Sequence, residues 1–168
     1  MTQRDSDSHR PSHVDAGGRA VMVDVGSKPP TQRRAVAEGR LNMKTATADL
    51  LFDQSDTSAT PKGSGREIIC VARTAGMLAA KQCGNLIPMC HPLPISGVEI
   101  DIDRDGDSAL VTAAVTITAP TGVEMEALTA VSVTALTLYD MLKAIDKTME
   151  IGGVRVTSKT GGKSDFSA

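Results

Sequence analysis

Hydrophobic and polar residues change period along this chain, and each change marks an element. Val98, Ile100 and Ile102 alternate with Glu99, Asp101 and Asp103, a period of two that predicts a half-buried strand with one acidic outer face. Asp105-Gly106 follows as a hairpin turn signal, and residues 109–118 supply the returning strand, with Val111, Ala113, Val115 and Ile117 on one side. Further on, Leu128, Val131, Ala135, Leu138, Leu142 and Ile145 recur at spacings of 3 and 4, which predicts a helix over about 122–147. Val133, Leu136 and Met141 widen that stripe, so burial on more than one side is expected.

Upstream, residues 34–43 read as a strand, 45–52 as a short helix, and 53–65, rich in Ser, Thr, Gly and Pro, as a long loop. Ile68, Val71, Ala75, Leu78 and Ala79 are spaced for one face of a second helix over 68–82. Gly152-Gly153 is expected to end the helical region, with Val154-Arg155-Val156 as a last strand before a Gly- and Lys-rich tail. The order strand, helix, helix, hairpin, helix, strand suits a ferredoxin-like α+β fold, an antiparallel sheet with helices packed on one face.

Composition sharpens this picture. The 168 residues are 40% hydrophobic and 23% charged with a net charge of −2, a globular balance sized for one domain. Residues 1–20 are expected to be a disordered or loosely docked N-terminal arm and 21–168 a single α+β domain, with Val21 to Val25 as an apolar island near the junction. The 18 basic and 20 acidic residues give no bulk attraction for phosphate backbones. Phe52, Tyr139 and Phe166 make no platform for stacking bases, so no nucleic-acid partner is expected. No apolar run approaches the ~18 residues of a membrane span, since the best candidate, 68–80, is broken by Arg73. The start of the chain carries no apolar signal core, so no membrane or secretory role is expected. Three cysteines, Cys70, Cys83 and Cys90, without a CxxC pair fit a reducing compartment, here the cytoplasm, and offer no paired ligands for zinc.

Several strings carry possible chemistry. Leu86-Ile87-Pro88-Met89-Cys90-His91-Pro92-Leu93-Pro94 places three prolines within seven residues, fixing the backbone in one pose. His91, beside Cys90, can serve there as acid, base or ligand, or be a hydrogen-bonded residue in a stiff connector. Thr121-Gly122-Val123-Glu124 fits a T-x-x-E capping box for the long helix, with Glu126 two residues on as a second carboxylate. Asp140 and Lys143, three apart, form either an ordinary surface ion pair or a proton carrier beside a cation. Lys159-Thr160-Gly161-Gly162-Lys163-Ser164 looks like the end of a phosphate loop, the alternative being a basic tail. Thr157 stands where a Walker A motif needs glycine, and no helix has room to follow.

Taken together, the Leu86 to Leu93 string, the run TGVEMEALTAVSVTALTLYDMLKAIDK from Thr121, and KTGGKS from Lys159 resemble one family. It is the cyclic pyranopterin monophosphate synthase family, the C proteins of molybdenum cofactor biosynthesis. HVDAGGRAVMVDVGSK from His13 is similar to the family's opening segment. The resemblance implies a ferredoxin-like fold assembled as a homo-hexamer, a trimer of dimers, with each active site built across a subunit interface. It implies a small-molecule substrate, (8S)-3′,8-cyclo-7,8-dihydroguanosine 5′-triphosphate, converted to cyclic pyranopterin monophosphate with pyrophosphate released. Carried over by position, Met89, Cys90 and His91 match one substrate-contact stretch and Met125 and Glu126 another. Asp140 matches the catalytic acid/base, with Lys143 as a catalytic lysine beside it.

That chemistry needs several proton transfers, for which His91 and Glu124 are further suitable types, and cations at the phosphates, for which Arg73, Lys159 and Lys163 are candidates. No redox, metal or other cofactor is expected. The sequence departs from the family around Lys62-Gly63-Ser64-Gly65-Arg66-Glu67, where the spacing to Ala72-Arg73 is longer. Lys62 is then either the family's catalytic loop lysine displaced by an insertion, or that lysine is missing. The latter case describes a catalytically impaired paralogue that binds a nucleotide or a partner.

Overall fold

The computed structural model describes residues 11–52, 64–162 and 164–168. Its frame is an antiparallel sheet of β1 (Thr31–Asn42), β2 (Gly97–Asp105), β3 (Ser108–Ala119), β4 (Glu150–Thr160) and β5 (Phe166–Ser167) in the order β2-β3-β1-β4-β5. Between them lie α1 (Thr45–Phe52), α2 (Gly65–Lys81), α3 (Cys83–Leu86) and α4 (Glu124–Leu142). This is the ferredoxin-like α+β arrangement, with β5 added at one edge.

The register explains where the core sits. Ile100 pairs with Ala113, which pairs with Ala37, and Ile102 pairs with Val111, so these side chains line one face of the sheet. Glu99, Asp101 and Asp103 point to solvent, as the alternation predicts. On the apolar face α4 buries Val131, Ala135, Leu138 and Leu142, and α2 packs beside it.

The helices depart from expectation in instructive ways. Helix α2 begins at Gly65, inside the expected loop, because Ser64 caps it by accepting a hydrogen bond from Glu67 N at 3.4 Å. Its buried face is Ile68, Ala72, Gly76, Ala79 and Ala80, whereas Val71 and Leu78 are 48% and 55% exposed. The close approach of α4 selects small residues for the contact and turns the larger ones outward: a β-carbon on Gly76 would fall on Thr134 Oγ1.

Helix α4 is shorter than its apolar stripe. It ends at Leu142, leaving Ile145 43% exposed, and Leu136, expected to widen the buried side, is 56% exposed. The cause lies just beyond, where the fully buried Asp146 carboxylate accepts bonds from Lys44 N at 2.8 Å and Thr148 N at 3.0 Å and pulls the chain out of the helical path. Thr121 does not cap the other end: the N-cap is Val123, with no side-chain hydrogen bond, and the Glu124 carboxylate pairs with Lys159. Gly152-Gly153, expected as a terminator, lies inside β4, where Gly153 at φ +64° accommodates a register shift against Glu38 and Arg40.

Contrary to the expectation that no segment reaches membrane length, α4 is long and apolar enough to cross a membrane by length and composition alone. It is the helix packed against α2, β1 and β3.

Candidate active site

The proline-locked string does what its stiffness promises. Helix α3 closes with Ile87 N donating to Cys83 O at 2.9 Å, and a turn follows with Cys90 N donating to Ile87 O at 3.0 Å. The turn swings Met89, Cys90 and His91 towards the first residues of α4, and together they border a cavity of about 430 Å³. Glu124, Met125 and Glu126 form its second wall. Two strings separated by some thirty residues of chain, β2 and β3 included, therefore meet at one place.

The third wall comes from the N-terminal arm. His13 and Lys28 line the cavity, with Val23 and Val25 between them. The arm is held in a defined path: Val14 and Ala20 form a β-bridge, Val21 N donates to His13 O at 3.0 Å, and Asp15 accepts from Gly17 N and Arg19 N. Those Asx-type bonds place two polar side chains at the site that periodicity in the arm cannot reveal.

Glu124 joins this cavity to a smaller one of about 210 Å³ bordered by Arg33, Arg34, Lys159 and Gly162. Its carboxylate receives Lys159 Nζ at 3.0 Å, which is where the side chain goes instead of capping α4. Arg33 Nε and a terminal nitrogen donate to Ala119 O at 2.9 Å and Pro120 O at 3.2 Å, fixing the end of β3 beside the cavity. The result is a basic recess next to a more apolar chamber, a combination suited to a phosphorylated ligand with a ring system.

Glu126 is 3% exposed, and burial pushes its carboxyl above the usual carboxylate range. Burial also raises the Cys90 thiol and pushes Cys83, 1% exposed behind it, up to about 12.

The remaining predicted residues are elsewhere. Asp140 and Lys143 make an exposed ion pair at 2.5 Å, and along α4 Asp140 lies roughly 21 Å from Glu126 at the helical rise of 1.5 Å per residue, with Lys143 about one turn further. Hydrogen bonding to Asp140 raises the Lys143 ammonium, keeping it charged. Arg73 belongs to a separate cavity of about 770 Å³ shared with Arg66 and Arg104, and its Nε donates to Ile100 O at 3.0 Å. Lys62 and Lys163 lie outside the described residues. Among the described residues no cluster of three or more His, Cys, Asp or Glu is placed to hold a metal ion.

The sequence profile of the MoaC family matches residues 22–162 of the chain. The chain belongs to the MoaC family. Relatives named cyclic pyranopterin monophosphate synthase include one from Parvibaculum lavamentivorans, 52% identical over 160 residues, spanning 94% of this chain and 96% of that protein. Another from Chloroflexus aggregans is 50% identical over 155 residues, covering 91% and 90% of the two chains. A third from Jannaschia sp. is 50% identical over 157 residues, covering 92% of each. The MoaC match begins at Met22, inside the arm, and runs through both cavity-forming strings to Gly162, so the chamber and the basic recess belong almost wholly to the family region.

Proposed function

We propose that this chain is a cyclic pyranopterin monophosphate synthase, a lyase of molybdenum cofactor biosynthesis. It converts (8S)-3′,8-cyclo-7,8-dihydroguanosine 5′-triphosphate to cyclic pyranopterin monophosphate and releases pyrophosphate. The observation that carries this reading is the convergence of Met89, Cys90, His91, Met125 and Glu126 on one chamber beside the basic recess of Lys159. Family membership supplies the reaction class.

In this reading Glu126, ionised, accepts hydrogen bonds from the N–H edge of the guanine-derived ring, and Met89 and Met125 bracket the ring system. His91 and Glu124 exchange protons as the imidazole ring opens and the pyrazine ring closes. A sugar hydroxyl then attacks the α-phosphorus: the new O–P bond forms, the bond to the β-phosphate breaks, and pyrophosphate departs against the charge of Lys159, aided by Lys163. Arg73 borders a separate cavity of its own chain, so in this reading it reaches the phosphates only from a neighbouring copy.

Asp140 as acid/base and Lys143 as its cation complete the set, and the length of α4 keeps them from His91 within one chain. A neighbouring copy therefore supplies them, in a homo-hexamer built as a trimer of dimers. Lys62, if it is the family's loop lysine, would join from the same neighbour. The three cysteines are free thiols, which suits the proposed location in the cytoplasm.

The test is conversion of the cyclised GTP derivative by purified protein, with pyrophosphate release measured beside binding. Turnover supports the reading, and binding without turnover would instead describe an impaired paralogue. Mixing Glu126→Ala with Asp140→Ala subunits should restore activity that neither has alone if the two residues act from different chains.

A further inference from the structure

The basic recess is walled in part by a loop, and the stem of that loop is closed. β4 leaves its ladder with β1 at the pair of Arg34 and Thr160, and the chain then turns back along β4. The returning segment pairs Phe166 with Lys159 and Ser167 with Ser158, and Ala168 N donates to Thr157 O at 2.8 Å. These bonds hold the two arms of the loop together but leave its tip to other contacts.

The tip is held at Gly161. It lies at φ +82°, and a β-carbon there would fall on the Gln32 carbonyl oxygen, so glycine is required by conformation and by space. Its carbonyl accepts a hydrogen bond from Thr31 Oγ1 at 2.8 Å, and its N–H donates to Asp165 Oδ1 at 3.1 Å. One side chain from the start of β1 and one from the far arm of the loop thus grip both polar groups of a single residue. Gly162 follows directly and, with Ser164, borders the recess alongside Arg33, Arg34 and Lys159.

On charge alone Asp165 is out of place. Its carboxylate adjoins Ser164 in sequence and is bonded to Gly161, beside a recess bordered by three cations, where its field opposes the binding of an anion. The bond to Gly161 gives that carboxylate a use that its charge does not.

We propose that Asp165 and Thr31 are positioning residues for phosphate binding, clamping Gly161 from either side and so holding Gly162 and Ser164 at the recess. The role in phosphate binding rests on the synthase reading above, whereas the hold on Gly161 does not.

The experiment measures binding of inorganic pyrophosphate to the full-length assembly by calorimetry. Asp165→Ala and Thr31→Val should each weaken it by roughly 3- to 10-fold, the scale of one hydrogen bond. Asp165→Asn keeps an acceptor oxygen and removes the charge, so it should bind at least as tightly as wild type. The sign is decisive, because a carboxylate acting only through its field would leave binding tighter when replaced by alanine. An Ala or Val variant that binds no more weakly than wild type overturns the proposal, as does an Asn variant as weak as Ala.

A second readout separates positioning from general loss of structure. The recess holds the phosphates before and after cleavage, so in Asp165→Ala KM should rise with kcat nearly unchanged, whereas a partly unfolded protein would lose kcat. Hydrogen exchange at the Gly161 amide should quicken about 3-fold or more in Asp165→Ala and return towards wild type in Asp165→Asn. Wild-type protein that neither binds pyrophosphate nor turns over would defeat the synthase reading, while unchanged exchange at Gly161 would defeat the clamp itself.

Discussion

Thr134 Oγ1 of α4 rests over Gly76 of α2, in the space a β-carbon at residue 76 would occupy. The same added carbon would lie 2.7 Å from Ile100 Cδ1 and 3.0 Å from the Ala130 carbonyl oxygen, so backbone as well as side chains would have to give. Gly76→Ala should therefore cost about 1–3 kcal/mol despite its better helix propensity, measured by urea unfolding. Adding Thr134→Ala should recover part of that loss, because the pair shares one contact. The Thr134 hydroxyl is also the one buried side-chain polar atom without a hydrogen-bond partner among the described residues. Thr134→Val alone is accordingly expected to be neutral or mildly stabilising.

Asp146 gives the fold an acid-sensitive joint. Its carboxylate accepts from Lys44 N and from Thr148 N and Oγ1, with Thr47 Oγ1 at 3.2 Å, and these bonds, Lys44 first, hold it well below the usual carboxylate range. A depressed native value means that the stabilisation is fully present above the unfolded aspartate value of about 4 and is lost as pH falls below it. Tm should therefore drop through that window. Asp146→Asn should melt lower than wild type at neutral pH, with the gap narrowing in acid, as followed by thermal scans from neutral to low pH.

The Glu124–Lys159 pair separates stability from activity. Both side chains are about one-third exposed, so breaking the pair should cost under about 1 kcal/mol. Lys159→Met should nevertheless reduce kcat/KM by roughly 10²-fold or more if the ammonium meets the departing pyrophosphate, since preorganised charge at such a step is worth several kcal/mol. Product formation measured beside thermal unfolding distinguishes the two effects.

Asp140→Asn removes a titrating group from an exposed strip with hardly any change of shape. Tm should stay almost unchanged while turnover falls by about 10²- to 10⁴-fold, the usual loss for a general acid/base. Near-normal turnover by the folded variant would return Asp140 and Lys143 to the status of a solvated helix face.

Much of this architecture was legible in the pattern of residues, and the failures share a cause. The β2–β3 hairpin could be read because alternation over Val98 to Ile117 has one interpretation and Asp105-Gly106 marks its turn. The buried face of α2 was misread because hydrophobicity favours Val71 and Leu78, whereas a close helix crossing favours Ala72 and Gly76. Thr121 and Glu124 have capping-box spacing, but Ser64 to Glu67 carries the side-chain cap and the carboxylate of Glu124 has Lys159. At the site, the strings around His91 and Glu126 announced themselves through proline content and paired carboxylates. His13 and Lys28 did not, since an arm ordered by local turns has no period to detect.

The length of α4 has a consequence for gene dosage. If the chamber at its start and the acid at its end must be met by different copies, each subunit contributes to two sites and owns neither. Wild-type subunits diluted with a Glu126→Ala or an Asp140→Ala partner would then lose activity in direct proportion to the defective fraction, because each lesion silences one site. A subunit defective at both ends would spoil a site on either side of it, and activity would fall as the square of the wild-type fraction. A doubly damaged allele would thus interfere with a healthy one in the same cell, while a singly damaged allele would only dilute it.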